Sequence, residues 1–218
     1  DSTLAEFKLS ISQKYKRHRP RLLILLGNPA LLMRDEYREL WGDIPIVLCS
    51  EENYLGPQET YTKKQAIATA DRTPLTQLAD PYNMVLLYSN LYLDENIQLI
   101  YHIVPEIKKF IFIGDARQIN QTNNLDIRNK LKKTHPNVEY QFITPQDMTT
   151  NQLLDSLYFV DPKTTGVLFS SWFYKTTFAG NTSLVSNAHK LIGTTAAPIF
   201  TLNMADITEE NGGMIGGY

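Results

Sequence analysis

Six short polar turns follow apolar runs in this sequence and hold most of the residues that could do chemistry. They are Gly27-Asn28, Ser50-Glu51, Ser89-Asn90, the stretch from Asp115 to Arg117, Ser170-Ser171-Trp172, and Asn203. Hydroxyl, amide and carboxylate groups with one guanidinium and one indole suit hydrogen bonding to, and stacking on, a small polar ligand. Asn28, Ser50, Glu51, Asp115, Arg117, Ser171, Trp172 and Asn203 are therefore the candidate ligand-binding residues. The same residue types also make turns and helix caps, so type alone does not choose between the two roles. Position singles them out: ligands of open parallel α/β sheets bind at the carboxyl ends of the strands, where helix N-termini converge.

Catalytic and metal-binding patterns are not found. The turn at Gly27-Asn28-Pro29-Ala30 lacks GxGxxG, and neither GxxxxGK[ST] nor GxSxG occurs. The four histidines, His18, His102, His135 and His189, stand singly, outside HxH or HExxH spacing. Neighbouring carboxylates such as Asp35-Glu36 and Glu209-Glu210 face different directions on a helix and make poor acid/base pairs. The single cysteine, Cys49, forms no internal disulfide and no CxxC, and in the run 44–49 it reads as a small buried hydrophobe. No catalytic residue, metal or cofactor is expected.

These turns must be positioned by alternating strands and helices. Residues 4–15 show helical spacing, and 21–26 (RLLILL) read as a strand buried on both faces. A helix over 30–41 and a strand over 44–49 follow. Residues 50–80 are polar, broken by prolines and expected to form a long connection with at most a short helix around 63–70. Then come strand 84–88, helix 93–103, strand 110–113, helix 124–133, strand 138–143, helix 151–157, strand 166–170, helix 182–192 and strand 199–202. Strand, helix, strand at this spacing implies right-handed crossovers and mainly parallel sheets covered on both faces. The closing Gly212-Gly213-Met214-Ile215-Gly216-Gly217-Tyr218 permits positive φ and close backbone approach, or a flexible end.

The composition is that of an ordinary globular protein, with 43% hydrophobic and 20% charged residues. With 21 Lys+Arg against 23 Asp+Glu, the formal charge of −2 gives no global field toward nucleic acid or anionic lipid. The basic run from Lys14 to Arg21 reads as a solvated helix end. The apolar stretch over 22–33 is too short and too interrupted to span a bilayer. The opening Asp1-Ser2-Thr3, with no signal-peptide pattern, reads as a fragment or processed chain.

The segments Leu25-Leu26-Gly27-Asn28, Asp43-Ile44-Pro45-Ile46-Val47-Leu48, the run from Pro105 to Ile113, and Pro198-Ile199-Phe200-Thr201-Leu202 with the glycine-rich close carry a family resemblance. Together they resemble the periplasmic-binding-protein-type sensor domains of bacterial hybrid histidine kinases, and also substrate-binding proteins of ABC transporters. Ser170-Ser171-Trp172-Phe173 followed by Ala179-Gly180-Asn181-Thr182 is similar to the version in sensors of Bacteroides-like gut bacteria. The resemblance implies a type I periplasmic-binding-protein-like α/β fold of two Rossmann-like lobes with mainly parallel sheets. Residues 1–89 would form lobe one, truncated of its first strand and helix, 90–203 lobe two, and 204–218 a glycine-rich return segment. It further implies an extracytoplasmic, periplasmic ligand-sensing domain of a two-component system. That domain would close on an unknown small molecule, be membrane-tethered in the full-length protein, and be able to form a homodimer. A free solute-binding protein of an ABC transporter is the alternative, and a doubly wound enzyme comes third.

Overall fold

The computed structural model describes residues 2–178, 181–185, 195, 197–203 and 212–214. It is α/β with mainly parallel sheets, and the chain divides into two compact units. The first comprises Asp1–Tyr61 and Thr69–Asn90, the second Thr62–Ala68 and Leu91–Gly217.

Unit one opens with α1 (Ser2–Lys14), followed by β1 (Leu23–Leu26) and a 3₁₀ turn over Asn28–Met33 that leads into α2 (Arg34–Trp41). Pro29 in the first turn fixes φ and lacks an N–H that would be unpaired there in any case, which suits a helix start. Next come β2 (Ile46–Ser50), β3 (Tyr54–Leu55), α3 (Gln58–Thr62), β4 (Thr73–Pro74), α4 (Thr76–Ala79) and β5 (Met84–Tyr88). The main sheet has the order β1-β2-β5 and is parallel, with Leu25 opposite Leu48 and Leu48 opposite Leu86. β3 and β4 pair antiparallel beside it. The core lies on one face, where Leu25, Ile46, Leu48 and Met84 meet Leu31, Met33, Tyr37 and Trp41, with Leu55 and Leu75 from the long connection. Ile11 and Tyr15 of the N-terminal segment pack on the same cluster, the Tyr15 ring meeting Trp41 edge-on.

Three expectations are corrected here. The 21–26 run is not buried on both faces: Ile24 is 64% and Leu26 77% exposed, because nothing in the described residues packs on that side. The short helix around 63–70 is absent. The helical turn ends at Thr62, Lys64 adopts a left-handed φ of 52°, and only a 3₁₀ turn over Thr69–Asp71 follows. Cys49 is half-buried rather than buried.

Unit two holds α5 (Leu93–Ile103), β6 (Lys109–Ile113), α6 (Gln118–Thr134), β7 (Glu139–Ile143), α7 (Thr150–Tyr158), β8 (Thr165–Phe169), the hairpin β9 (Tyr174–Phe178) and β10 (Asn181–Val185), and β11 (Ile199–Thr201). Its sheet runs β11-β8-β6-β7, all parallel. Both faces are covered. Phe110, Phe112, Leu168 and Phe200 pack under α5 and α6 through Ile97, Ile100, Ile127 and Leu131. Ile111, Ile113, Val167, Phe169 and Ile199 pack under α7 through Leu153 and Leu157. Gly166 is required by the first layer, since an added Cβ would lie 2.3 Å from Ile100 Cγ2. A capping box starts α7, Thr149 Oγ1 accepting the Gln152 N–H while Gln152 Oε1 accepts the Thr149 N–H.

The expected helix over 182–192 is overturned where the structure describes it. Residues 181–185 pair antiparallel with 174–178, and two short β-forming runs separated by two residues including a glycine favour a hairpin. Residues 186–192 lie outside the described residues, as do 204–211 and 215–218 of the expected return segment. Within that segment Gly212 bridges to Phe200 in the parallel sense, its carbonyl accepting the Thr201 N–H at 2.7 Å. Asn96 of α5 holds the next residues, donating from Nδ2 to Met214 O at 2.7 Å and accepting the Met214 N–H at 2.8 Å. Gly213 fits because a Cβ there would lie 2.4 Å from Thr201 O.

Tyr101 supplies a stability test. Its ring stacks on His135, but its hydroxyl is buried with no hydrogen-bond partner. Tyr101→Phe removes the orphaned hydroxyl and keeps the ring, so the variant should gain about 1 kcal/mol in urea unfolding.

Candidate functional site

The chain order in unit two places the site. From β6 the chain steps outward to β7 over the face carrying α6. It then crosses back to β8 over the face carrying α7. The direction of winding therefore reverses between β6 and β8, and the carboxyl ends of those two strands are where open α/β sheets bind their ligands. Asp115 follows β6 and Ser170-Ser171 follow β8, so the two turns meet there.

Asp115 is 1% exposed, and its carboxylate organises the turn. Oδ1 accepts the Arg117 backbone N–H at 2.8 Å and Asn120 Nδ2 at 2.9 Å, and Oδ2 accepts the Ser171 hydroxyl at 2.8 Å. Arg117 Nε lies 3.0 Å from both carboxylate oxygens. Asn120 Nδ2 also reaches Ser171 Oγ at 2.8 Å, which closes a triangle of Asp, Asn and Ser. Gly114 permits this approach, since a Cβ there would lie 3.0 Å from Asn120 Cγ. Four donors fill the acceptor capacity of the carboxylate, so Asp115 is an organiser and not a free general base.

The group presented outward is Arg117. Its Nε is held by Asp115, its guanidinium lies 4.8 Å from the Phe173 ring centroid, and its side chain is 49% exposed. Its two terminal nitrogens have no protein partner among the described residues. A fork held in this way is oriented before any ligand arrives, and its shape matches a carboxylate or phosphate. The fork sits at the start of the 17-residue α6, where the helix dipole adds to its positive field.

Asn203 also belongs to this rim, donating its side-chain amide to Ser170 O. Trp172 does not. Expected to stack on a ligand, it is fully buried in the core beneath α7, and its indole N–H donates to Thr150 Oγ1 at 3.0 Å. Trp172 lies three residues beyond the end of β8, outside the alternation of the strand, and its side chain enters the apolar layer of Val167 and Phe169.

The candidates of unit one form a separate set. Asn28 and Ser50 are both buried and face each other, the Ser50 hydroxyl donating to the Asn28 amide oxygen. Asn28 Nδ2 donates to the Tyr54 carbonyl, and Ser50 Oγ accepts the Glu52 N–H at 2.9 Å. These bonds pin the loop after β2 to the turn after β1, so both residues are spent on loop structure. Glu51 is exposed, and the buried acid is its neighbour Glu52, whose carboxylate accepts the Tyr54 hydroxyl at 2.7 Å. Sequence reasoning missed Asn120 and Glu52. Neither follows a strand directly, and the signal for Asn120 was only a polar residue three positions into a helix.

Tyr61 stands in the same loop, its hydroxyl accepting the Gly56 N–H at 3.0 Å. Burial, aided by the nearby Glu52 carboxylate, pushes its ionisation up from 10.0 to about 12. A group raised in the folded state adds stability that is complete below its unfolded value and is lost as pH rises toward the folded one. Stability should therefore hold to about pH 10 and fall between pH 10 and about 12. Urea unfolding at stepped pH should show this fall, reduced in Tyr61→Phe.

No group of His, Cys, Asp and Glu side chains among the described residues is placed to hold a metal ion, and no described helix is long and apolar enough to cross a membrane. No protein-family model, no curated protein and no solved structure matches the chain.

Proposed function

We propose that this chain is the extracytoplasmic ligand-sensing domain of a bacterial two-component sensor histidine kinase, of periplasmic-binding-protein type. It recognises a small metabolite carrying a carboxylate or phosphate and passes the bound state to a cytoplasmic kinase through a membrane tether. Binding, not catalysis, is its task. The observation that carries this reading is the Arg117 fork, held by Asp115 and Phe173 at the point where the unit-two sheet reverses its winding. The serine beside it is bonded to a carboxylate and an amide rather than to an imidazole, an arrangement that orients groups without activating a nucleophile. Two compact α/β units, between which the chain passes at 61/62, 68/69 and 90/91 among the described residues, also accord with a two-lobed binding protein.

The test is a thermal-shift screen of the chain against carboxylated and phosphorylated metabolites, in which a ligand of the folded form raises the melting temperature. At least one such compound should raise it, and Arg117→Ala, measured against its own unliganded melting temperature, should abolish the shift. A screen in which only uncharged compounds bind, or in which Arg117→Ala binds as well as the parent, overturns the reading. Determining the gene on both sides of this segment separates the sensor from a transporter's solute-binding protein. Membrane-helix and kinase modules identify the first, a lipoprotein signal and a stop codon the second.

A further inference from the structure

Arg117 is folded back over the start of α6. Its backbone N–H and its Nε donate to the same oxygen, Asp115 Oδ1, at 2.8 and 3.0 Å. The guanidinium therefore stands beside the first residues of the helix instead of reaching away from them. Its two terminal nitrogens, without protein partners among the described residues, are presented there.

The helix start carries a second set of donors. A helix leaves its first N–H groups without intrahelical acceptors. In α6 the N–H groups of Asn120 and Gln121 turn back to Arg117 O, at 3.1 and 3.2 Å, and the Arg117 N–H is taken by Asp115. The N–H groups of Gln118 and Ile119 remain, with no acceptor among the described residues and no side chain capping this end. Both are held in place. Gln118 is 9% exposed, and its side chain donates at 2.8 Å to Thr122 Oγ1, which also accepts the N–H of the buried Ile67 at 2.9 Å.

The number of these donors separates two anions. A carboxylate has two oxygens, which the two terminal nitrogens of a guanidinium fill, and it would leave the helix N–H groups unmet. The phosphate of a monoester has three outer oxygens. Two can lie on the fork while the third accepts from the helix start, where the dipole favours its extra charge. Asp115 balances the charge of Arg117, so selection falls to the count and placement of donors. We infer that the ligand recognised at Arg117 is a phosphate monoester, gripped by the fork and by the N–H groups of Gln118 and Ile119. The inference rests on the reading of Arg117 as the ligand-binding group and adds the class of ligand.

Methyl phosphate and acetate are the probes, used above about pH 7, where the monoester is mostly a dianion. In the nitrogen-15-labelled chain, methyl phosphate should move the Gln118 and Ile119 amide resonances downfield, and acetate should leave them in place. Gln118→Pro and Gln118→Ala isolate one helix donor, since both lose the side-chain bond to Thr122 and only the first loses the N–H. Proline suits the position: Arg117 before it is extended, with φ −65° and ψ 149°, and the first helical residue needs no N–H for the fold. Methyl phosphate should bind Gln118→Ala about tenfold more tightly than Gln118→Pro, the loss expected for one charge-assisted hydrogen bond, and acetate should bind the two alike. Methyl phosphate that binds no tighter than acetate, Gln118 variants that bind it equally, or unmoved Gln118 and Ile119 amides overturn the inference and leave the Arg117 reading intact. Binding of neither probe at high millimolar concentration, or undiminished binding of both by Arg117→Ala, overturns the two together. Should Gln118→Pro misfold, the amide shifts of the parent chain decide alone.

Discussion

Trp172→Ala should destabilise the protein by about 4 kcal/mol, the cost of emptying a large aromatic site in a layer that cannot collapse around it. The indole is fully buried among Ile113, Ile143, Leu153 and Phe169, and its N–H is bonded to Thr150 at the start of α7. Trp172→Phe keeps most of the volume and loses the hydrogen bond and one ring, so its cost should be nearer 1–2 kcal/mol. Urea denaturation followed by circular dichroism measures both. The pair also discriminates between roles. A tryptophan that stacked on a ligand would leave unliganded stability almost untouched when truncated, whereas a core tryptophan shows its whole effect there.

Asp115→Ala should cost about 3 kcal/mol, because it strands the Ser171 hydroxyl, the Asn120 amide and the Arg117 N–H at a buried turn. Asp115→Asn retains one acceptor oxygen and should cost about 1–2 kcal/mol. Ligand binding should weaken in both, since Arg117 Nε loses the carboxylate that orients its fork. Ser171→Ala removes one bond to the same carboxylate and leaves Arg117 attached. It should therefore lower stability while leaving the ligand-induced thermal shift nearly intact. That contrast separates the positioning of Arg117 from general loosening of the turn.

The strands of unit two were legible because a strand buried on both faces reads as a continuous apolar run. Phe110 to Ile113 and Gly166 to Phe169 are such runs, each ending in a polar turn. The rule that sites lie at those ends led to Asp115, Arg117 and Ser171, which the fold brings together. It could not reveal what the carboxylate does, since its partners Asn120 and Ser171 stand five and 56 residues away. The first turn of α6 escaped notice because the residues from Gln118 to Asn124 are nearly all polar. Tertiary bonds account for their burial, such as that of Thr122 Oγ1 to the Ile67 N–H. Trp172 was misplaced because sequence position says where a turn is but not which way each of its side chains points. In unit one the run around Ile24 read as doubly buried, and no local pattern distinguishes a covered aliphatic face from a bare one.

The clasp between Asn96 and Met214 joins residues 118 positions apart, with Gly213 pressed against Thr201 between them. A ribosome makes the two halves of that clasp in strict order. Helix α5, β6 and β8 emerge early and can assemble, while the free side of β11 waits for Gly212 to bridge onto it. Throughout that interval the nascent chain carries an unsatisfied strand margin, the feature that recruits stray β-structure. Sealing the margin thus comes only after every strand of the unit-two sheet has emerged. A ribosome stalled before residue 212 would hold unit two in its most adhesive form, and factors that shield emerging chains would have most to do there.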